Sequence, residues 1–293
     1  AVDYTNRVVT WSLAINNGRQ IMSNWSLDEN IPTGLTVDKT SFKFTDKVTN
    51  QDLILGRDYA VTYTDKGFTI TFLGDSEIKR SNNFVFTFKT AFETQTLAEN
   101  NKKWINTAVM NWTDMFNKPH KNTGTADFKP RDDYFYDGSK GGSYNAINKD
   151  ITWNVYTNLN QRSLKGATIS DPIPDDQAFV AGSAKLYFAD ITKGGDLTNL
   201  KEVTDVTPTY DEATKTLSVN LPEGLTTAYQ LTFKTSLKDK VINKKTYTNT
   251  AAYANCGKEK KLNGSTSVAN GGNVLGKAGR QGRTDSTDAL WSI

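Results

Sequence analysis

The sequence predicts an all-β protein with two tandem sandwich domains. Short segments alternate apolar with polar residues, and clusters of Gly, Asn, Asp and Pro separate them. The second half of the chain repeats elements of the first half in the same order. A length of 293 residues suits two cores better than one. We therefore expect two immunoglobulin-like β-sandwiches, followed by a C-terminal strand-like tail.

The predicted strands are segments rich in Val, Ile, Thr, Phe, Tyr and Trp in which apolar residues recur at every second position. No stretch keeps a 3.6-residue apolar period, so helices should be limited to single turns. The clearest strands are RVVTWSLAI (7–15), YAVTYTDKGFTITFLG (59–74), NFVFTFKTAF (83–92), DITWNVYTNL (150–159), SAKLYFAD (183–190), TLSVNL (216–221) and YQLTFKTSL (229–237).

The internal repeat sets the domain organisation. The spacing from Trp11 to Asp28 is 17 positions, and that from Trp153 to Asp171 is 18. We place the domains at 1–130 and 131–271, with the tail at 272–293, because GTADFKPRDD ends a strand at a Pro and a charged turn. The matching pairs are VVTWSLAINN (8–17) with DITWNVYTNL (150–159), WSLDENIP (25–32) with TISDPIP (168–174), FTFKTAF (86–92) with LTFKTSL (231–237), and NKKWINTAV (101–109) with NKKTYTNTAA (243–252).

Composition excludes several classes of function. Lys and Arg total 35 against 32 acidic residues and form no stripe with aromatic residues, which argues against a nucleic-acid partner. With one cysteine, Cys256, and one histidine, His120, neither an intrachain disulfide nor a Cys/His zinc site can form. No segment has the roughly 20 apolar residues of a membrane helix, so we expect no membrane insertion in this segment.

The sequence does not favour an enzyme. It has no Gly-rich phosphate loop and no nucleophile elbow, and we expect neither a cofactor nor a metal. Two acidic pairs, Asp132 with Asp133 and Asp175 with Asp176, lie in turn-like stretches where solvated carboxylates are ordinary. The only reaction that we expect is therefore one between side chains of the protein itself.

Three features mark the second half of the chain: a Lys followed by a Gly-containing turn and a Thr-Trp strand, an Asp in TISDPI, and an Asn in YTNTA. They resemble the collagen-binding-type (Cna-like) adhesin domains of Gram-positive surface proteins, and the resemblance covers nearly the whole chain. It implies an extracellular protein of the cell surface or a secreted fibre. It also implies a spontaneous Lys–Asn isopeptide bond in the second domain between Lys140 and Asn249, which Asp171 promotes.

Burial gives these residue types a physical rationale. Between two sheets, the charged forms of Lys140 and Asp171 are both disfavoured, so the lysine can act as a nucleophile and the acid can stay protonated. A protonated Asp171 could polarise the Asn249 carboxamide by a hydrogen bond. The bond would stabilise a chain without cystines.

The first domain keeps Asp28 and Asn106 but not the lysine. Lys140 lies 13 positions before Trp153, and the same offset from Trp11 falls before Ala1. We therefore expect Asp28 and Asn106 to receive a lysine from elsewhere.

The tail carries the candidate lysine. In GNVLGKAGRQGRTDSTDALWSI (272–293), Lys277 lies 14 positions before Trp291. Three explanations stay open: the chain is a window of a longer repeat array, the tail latches onto its own first domain, or it polymerises head to tail by bonding Lys277 to a neighbour's Asn106. In the last case only the NVLGKAG part could be donated, because DALWSI duplicates a strand that the first domain already has.

Two functions fit these expectations. The first is a structural subunit of a surface fibre, pilus or adhesin stalk, whose partners are neighbouring copies or adjacent repeats. The alternative is a ligand-binding adhesin head for an extracellular-matrix polymer such as collagen. For the second function, Trp112 and Phe116 could contribute to an exposed apolar trench, although core packing would explain both residues equally well.

Overall fold

The computed structural model describes residues 1–74, 77, 81–268, 275, 277–281 and 289–292. These residues confirm the all-β prediction, because nearly all of their regular structure is antiparallel strand. The helical elements among them include a 3-10 turn at Thr94–Thr96 and a one-turn helix α1 at Asp132–Phe135. The chain divides into two compact units, residues 1–135 with 190–198 and residues 136–189 with 199–293. We call them the first and the second domain. No helix in the described part of the chain is long and apolar enough to cross a membrane.

The first domain is a sandwich of two five-stranded sheets. One has the order β1-β2-β8-β4-β5 and the other has the order β10-β9-β3-β7-β6. The strands are β1 (Val2–Asp3), β2 (Val8–Ile15), β3 (Ser23–Asn30), β4 (Leu35–Asp46), β5 (Gln51–Asp52), β6 (Tyr59–Thr64), β7 (Gly67–Phe72), β8 (Phe84–Phe92), β9 (Trp104–Thr113) and β10 (Pro119–Phe128).

Aromatic side chains fill the space between these two sheets. In β8, FVFTFKTAF places Phe84, Phe86 and Phe88 on the inner face because successive side chains of a strand point to opposite sides. Phe44 of β4 packs against Phe84 and Phe86 with ring centroids 5.5 Å apart in each pair. Fully burying one such side chain stabilises the fold by about 2–3 kcal/mol.

The second domain repeats this plan. Its sheets have the orders β11-β12-β19-β15-β16 and β17-β18-β13-β20-β21, and β14 also pairs with β19. The strands are β11 (Gly138–Asn145), β12 (Asp150–Thr157), β13 (Thr168–Pro172), β14 (Ala178–Phe179), β15 (Lys185–Ile191), β16 (Leu197–Glu202), β17 (Thr209–Asp211), β18 (Thr216–Asn220), β19 (Ala228–Ser236), β20 (Thr246–Asn255) and β21 (Lys258–Ser267).

The tryptophans of the repeat occupy the same register in both domains. Trp11 lies opposite Phe88, and its indole N–H donates to the Thr90 hydroxyl at 2.9 Å. Trp153 lies opposite Phe233, and its indole N–H donates to the hydroxyl of Thr235, again at 2.9 Å. A buried indole N–H needs such an acceptor, so both domains place a threonine hydroxyl beside the tryptophan.

Strand β11 closes the second sandwich at one edge. It pairs with β12 and runs alongside β21 in the same direction: Gly138 approaches Leu262, and Lys140 approaches Gly264. The chain therefore enters the second domain at one end of the sandwich and, after Val268, leaves it near the opposite end. Beyond that exit, the described part of the tail forms a hairpin of β22 (Ala278–Gln281) and β23 (Ala289–Ser292).

Candidate functional site

The two sheets of the second domain bring Lys140, Asp171 and Asn249 together. Lys140 comes from β11 in one sheet, and Asp171 and Asn249 come from β13 and β20 in the other. Each residue lies at an inward position of its strand, because apolar inward neighbours two positions away, such as Ile169 in β13 and Tyr247 in β20, fix which face is buried. We call these three side chains the Lys–Asp–Asn cluster.

The cluster is closed to solvent. The Lys140 ammonium donates to Asp171 Oδ2, and both side chains are 0% exposed. Asn249 is buried beside Asp171. Among the described residues, Asp171 Oδ1 and both polar atoms of the Asn249 amide have no hydrogen bond of ordinary geometry. Unpaired polar atoms are costly in a core, so their concentration here marks a site rather than a packing element.

Burial shifts both ionisable groups towards their neutral forms. It lowers the pKa of Lys140 to about 8, against the opposing attraction of Asp171. It raises the pKa of Asp171, while Lys140 and Asn249 act in the opposite direction. The Lys140 nitrogen also lies 5.2 Å from the ring centroids of Trp153 and of Phe233, which form an apolar wall around the amine.

Two glycines make room for the lysine. A Cβ at Gly264, which lies opposite Asn249 in β21, would stand 2.7 Å from Lys140 Cγ. A Cβ at Gly142, which lies opposite Trp153, would stand 2.6 Å from the indole ring. Both distances are shorter than packed carbon atoms tolerate. Gly264 therefore leaves room for the lysine side chain, and Gly142 lets β11 lie against the tryptophan.

The cluster has the parts of an amide-forming reaction: an amine of lowered pKa, a carboxyl group of raised pKa and a carboxamide. A neutral amine can attack the amide carbon, and a protonated carboxyl can stabilise the negative charge that develops on the amide oxygen. The fold holds these groups together before any reaction, which removes much of the entropic barrier.

In the first domain Glu29, and not Asp28, lies beside Asn106. In the second domain, extending the β13–β20 register places Asp171 opposite Ala251, two positions beyond Asn249. In the first domain, Glu29 lies opposite Ala108, two positions beyond Asn106. Burial raises the pKa of Glu29 to about 7, although the neighbouring Asn106 amide acts in the opposite direction.

The structure does not bring Asp28 to Asn106. Asp28 is only half-buried, and its carboxylate accepts hydrogen bonds from the Thr69 hydroxyl and the Asn111 amide. The reason is strand alternation: Trp25, Leu27 and Glu29 point inward in β3, so Asp28 points the other way.

Two signals in the sequence could have identified the glutamate. The alternation of WSLDE places Glu29 on the face of the two apolar residues. The spacing from Trp11 to Glu29 is also 18 positions, equal to that from Trp153 to Asp171.

Lys277 is exposed and directly precedes β22. Residues 272–274 and 276 of the predicted donor segment lie outside the described residues.

Trp112 and Phe116 lie near the turn of the β9–β10 hairpin, at the surface. Trp112 is half-buried and stacks on His120 with ring centroids 4.3 Å apart. His120 in turn contacts Asp114 Oδ2 at 2.8 Å. Phe116, in the turn itself, is 77% exposed. A role for Trp112 and Phe116 in the core is thereby excluded.

Comparison with known proteins finds a family match within the second domain. Residues 136–262 match the family model described as "Collagen binding domain". No curated protein is similar enough in sequence to count as a match.

Three solved structures illustrate the structural similarity. The collagen-binding subdomain of the Enterococcus faecalis surface protein ACE is 16% identical, covers 42% of this chain and 88% of its own, and has a TM-score of 0.36. The collagen adhesin CNA from S. aureus is 17% identical, with coverages of 88% and 86% and a TM-score of 0.34. The collagen-binding domain of Erysipelothrix rhusiopathiae surface protein RspB is 14% identical, with coverages of 90% and 95% and a TM-score of 0.34.

Structural similarities with such low TM-scores support no argument about function. What can be said of the second domain rests on the family model. That match begins at Tyr136, where the second domain begins, and it includes all three residues of the Lys–Asp–Asn cluster. Residues 136–262 of this chain are therefore similar to the collagen-binding domain that this family model describes.

Proposed function

We propose that this chain is an extracellular structural subunit of a Gram-positive surface fibre, pilus or adhesin stalk. In this proposal a Lys140–Asn249 isopeptide bond locks the second domain, and the subunits join head to tail. The observation that carries it is the Lys–Asp–Asn cluster, in which a fully buried lysine side chain lies against a buried acid and a buried amide. Such a bond resists reduction, which suits a surface protein with a single cysteine.

The reaction joins the two sheets of the second domain. The proton of the Lys140 ammonium passes to Asp171, and the neutral Nζ attacks Cγ of Asn249 while Asp171 donates to the amide oxygen. When the tetrahedral intermediate collapses, the bond from Cγ to Nδ2 breaks. Asp171 relays the proton of the attacking nitrogen to the leaving group, and the products are one secondary amide and one ammonia.

The intact mass of the purified chain tests this proposal. We expect a mass about 17 Da below that of the sequence, because one ammonia leaves per bond. Asp171→Ala should restore the full mass, since it removes the acid. Lys185→Met is the matched control: Lys185 pairs with Glu202 at the surface, so this variant should keep the loss. A wild-type chain of full mass contradicts the Lys140–Asn249 bond.

A second candidate function is binding of collagen, which the family match over residues 136–262 favours. Under this proposal, the immobilised collagen triple helix binds the chain saturably, and heat-denatured collagen does not. Phe116→Ser tests the exposed hairpin of the first domain, because removing that ring takes away apolar contact area without disturbing a core. Equal binding to native and denatured collagen, or none to either, argues against this function.

A further inference from the structure

Gln177 is a polar side chain in the core of the second domain that does not belong to the Lys–Asp–Asn cluster. It is 4% exposed. It lies in the segment between β13 and β14, six positions after Asp171. Its backbone N–H donates to the Pro174 carbonyl at 3.0 Å, which closes a turn. The segment that supplies the acid of the cluster therefore also brings this amide into the core.

Both ends of the Gln177 amide are hydrogen-bonded. Its Oε1 accepts from the Thr235 hydroxyl at 2.7 Å and from the Trp153 indole N–H at 3.2 Å. Its Nε2 donates to the backbone carbonyl of Thr248 at 3.1 Å. Trp153 and Thr235 belong to β12 and β19 in one sheet, whereas Thr248 belongs to β20 in the other. A single side chain therefore connects the two sheets by hydrogen bonds.

On the lysine side, this connection holds the ring that borders the amine. The centroid of the Trp153 ring lies 5.2 Å from Lys140 Nζ. The indole N–H has two acceptors, the hydroxyl of Thr235 at 2.9 Å and the amide oxygen of Gln177. These hydrogen bonds fix the orientation of the ring, and the ring limits the positions that the amine can take.

On the amide side, the connection reaches the peptide group that carries Asn249. The carbonyl of Thr248 and the N–H of Asn249 share one planar peptide group, so a hydrogen bond to this carbonyl restricts the direction of the Asn249 side chain. Among the described residues, the Asn249 amide itself has no hydrogen bond of ordinary geometry. Its orientation therefore depends on the backbone of β20.

Strand β20 loses a neighbouring strand close to this point. The pairing of β13 with β20 ends at Ser170, opposite Ala252, before it reaches Asn249. Pro172 is the last residue of β13, and proline has no N–H with which to continue a ladder. The side chain of Gln177 thus supplies a donor to β20 where the backbone of β13 no longer does.

The first domain has the same pair of tryptophan and threonine without a glutamine. Leu35 lies 24 positions after Trp11. Gln177 lies 24 positions after Trp153, and both residues come three positions after an Ile-Pro pair. Leu35 is buried, and the indole N–H of Trp11 donates to the Thr90 hydroxyl. An apolar side chain is thus compatible with this position of the fold, so packing alone does not explain the glutamine.

We propose that Gln177 is a positioning residue for the Lys140–Asn249 bond. It keeps the ring that borders the amine and the peptide group that carries the carboxamide at a fixed separation before the two side chains react. This inference rests on the proposed isopeptide bond, to which it adds a residue that transfers no proton. Such control matters because a displacement of about 1 Å can slow a reaction by about 100-fold.

The test follows bond formation in the full chain during cell-free synthesis at neutral pH. Samples are unfolded in acid at successive times, and the intact mass gives the fraction that has lost about 17 Da. We expect Gln177→Leu to slow this loss by about 10- to 100-fold, because leucine fits the position but makes neither hydrogen bond. Gln230→Leu is the matched control: Gln230 donates to Asn154 on the outer face of the sheet, so this variant should keep the wild-type rate.

Two further measurements separate positioning from a structural role. In an Asn249→Ala background, which cannot form the bond, Gln177→Leu should change the melting temperature of the second domain by no more than about 4 °C, since Thr235 still accepts from Trp153. Gln177→Glu is measured at pH 5, where burial keeps the introduced carboxyl neutral. Its rate should lie within about 3-fold of the wild-type rate at that pH, because a neutral carboxyl offers one acceptor and one donor in the shape of the amide.

A slow Gln177→Leu variant, together with a Gln177→Glu rate close to that of the wild type, supports the proposal. Equal rates in the wild type and Gln177→Leu contradict the role of Gln177 alone. A Gln177→Glu rate as low as that of Gln177→Leu also overturns this role, as does a Gln177→Leu domain that is unfolded or melts far below its Asn249→Ala parent. A wild-type chain that keeps its full mass at all times contradicts the Lys140–Asn249 bond itself, and the role of Gln177 with it.

Discussion

Asn249→Ala is expected to lower the free energy of unfolding of the second domain by about 5 kcal/mol. The variant cannot form the cross-link, whereas Lys140 and Asp171 keep each other as partners. A bond between positions 140 and 249 closes a loop of roughly 100 residues, and a cross-link of that span restricts the unfolded chain by about 5 kcal/mol. For a domain of this size, the melting temperature should fall by about 10–20 °C.

Differential scanning calorimetry measures this effect, because the two domains have separate cores. The transition of the second domain should move, and that of the first domain should stay. Asn263→Ala is the matched control: Asn263 is exposed on the neighbouring strand and accepts one hydrogen bond from Thr250. Its loss should cost no more than about 1 kcal/mol. An Asn249→Ala transition at the wild-type temperature would show that no cross-link stabilises the domain.

Glu29→Gln is expected to stabilise the first domain above pH 7 and to leave it unchanged near pH 4. Burial raises the pKa of Glu29 from 4.5 to about 7, so between these values the folded state binds a proton that the unfolded state releases. The stabilising contribution is complete below pH 4.5 and disappears as the pH rises through 7. The difference amounts to about 3 kcal/mol. Glutamine does not titrate, so the free energy of unfolding of this variant should not decline between pH 4.5 and pH 7.

The measurement is the free energy of unfolding of the first domain between pH 4 and pH 8. Asp28→Asn is the control, because it leaves Glu29 intact and should keep the decline between pH 4.5 and 7. A flat wild-type profile over that range would contradict the burial of an ionisable Glu29. The assignment to Glu29 would also be contradicted if the free energy of unfolding no longer declined with pH in Asp28→Asn but still declined in Glu29→Gln.

The alternation of apolar and polar residues, together with the internal repeat, was enough to predict the fold. Apolar residues at every second position fix which face of each strand is buried, and this information is local. The segments 8–17 and 150–159 share their tryptophan because both domains place it against the same kind of partner, Phe88 or Phe233. The sequence thus predicted the sandwiches, and the resemblance of its motifs led to Lys140, Asp171 and Asn249.

Asp28 shows where matching by residue type missed the inward position of β3. Aligning Asp28 with Asp171 matched residue type, whereas the site requires a side chain on the inner face of β3. A shift of one position along a strand turns a side chain from the core to the solvent. Glu29 therefore occupies the position that Asp171 occupies in the second domain, with a longer side chain.

By itself, the sequence determined the all-β class, the two repeats and the buried cluster of the second domain, because these depend on local period and on motif. Only the tertiary structure decided that Glu29 lies beside Asn106 and that Asp28 instead accepts hydrogen bonds from Thr69 and Asn111. These features depend on the register between strands far apart in the chain. Backbone hydrogen bonds and packing between sheets set that register, and no single segment encodes it.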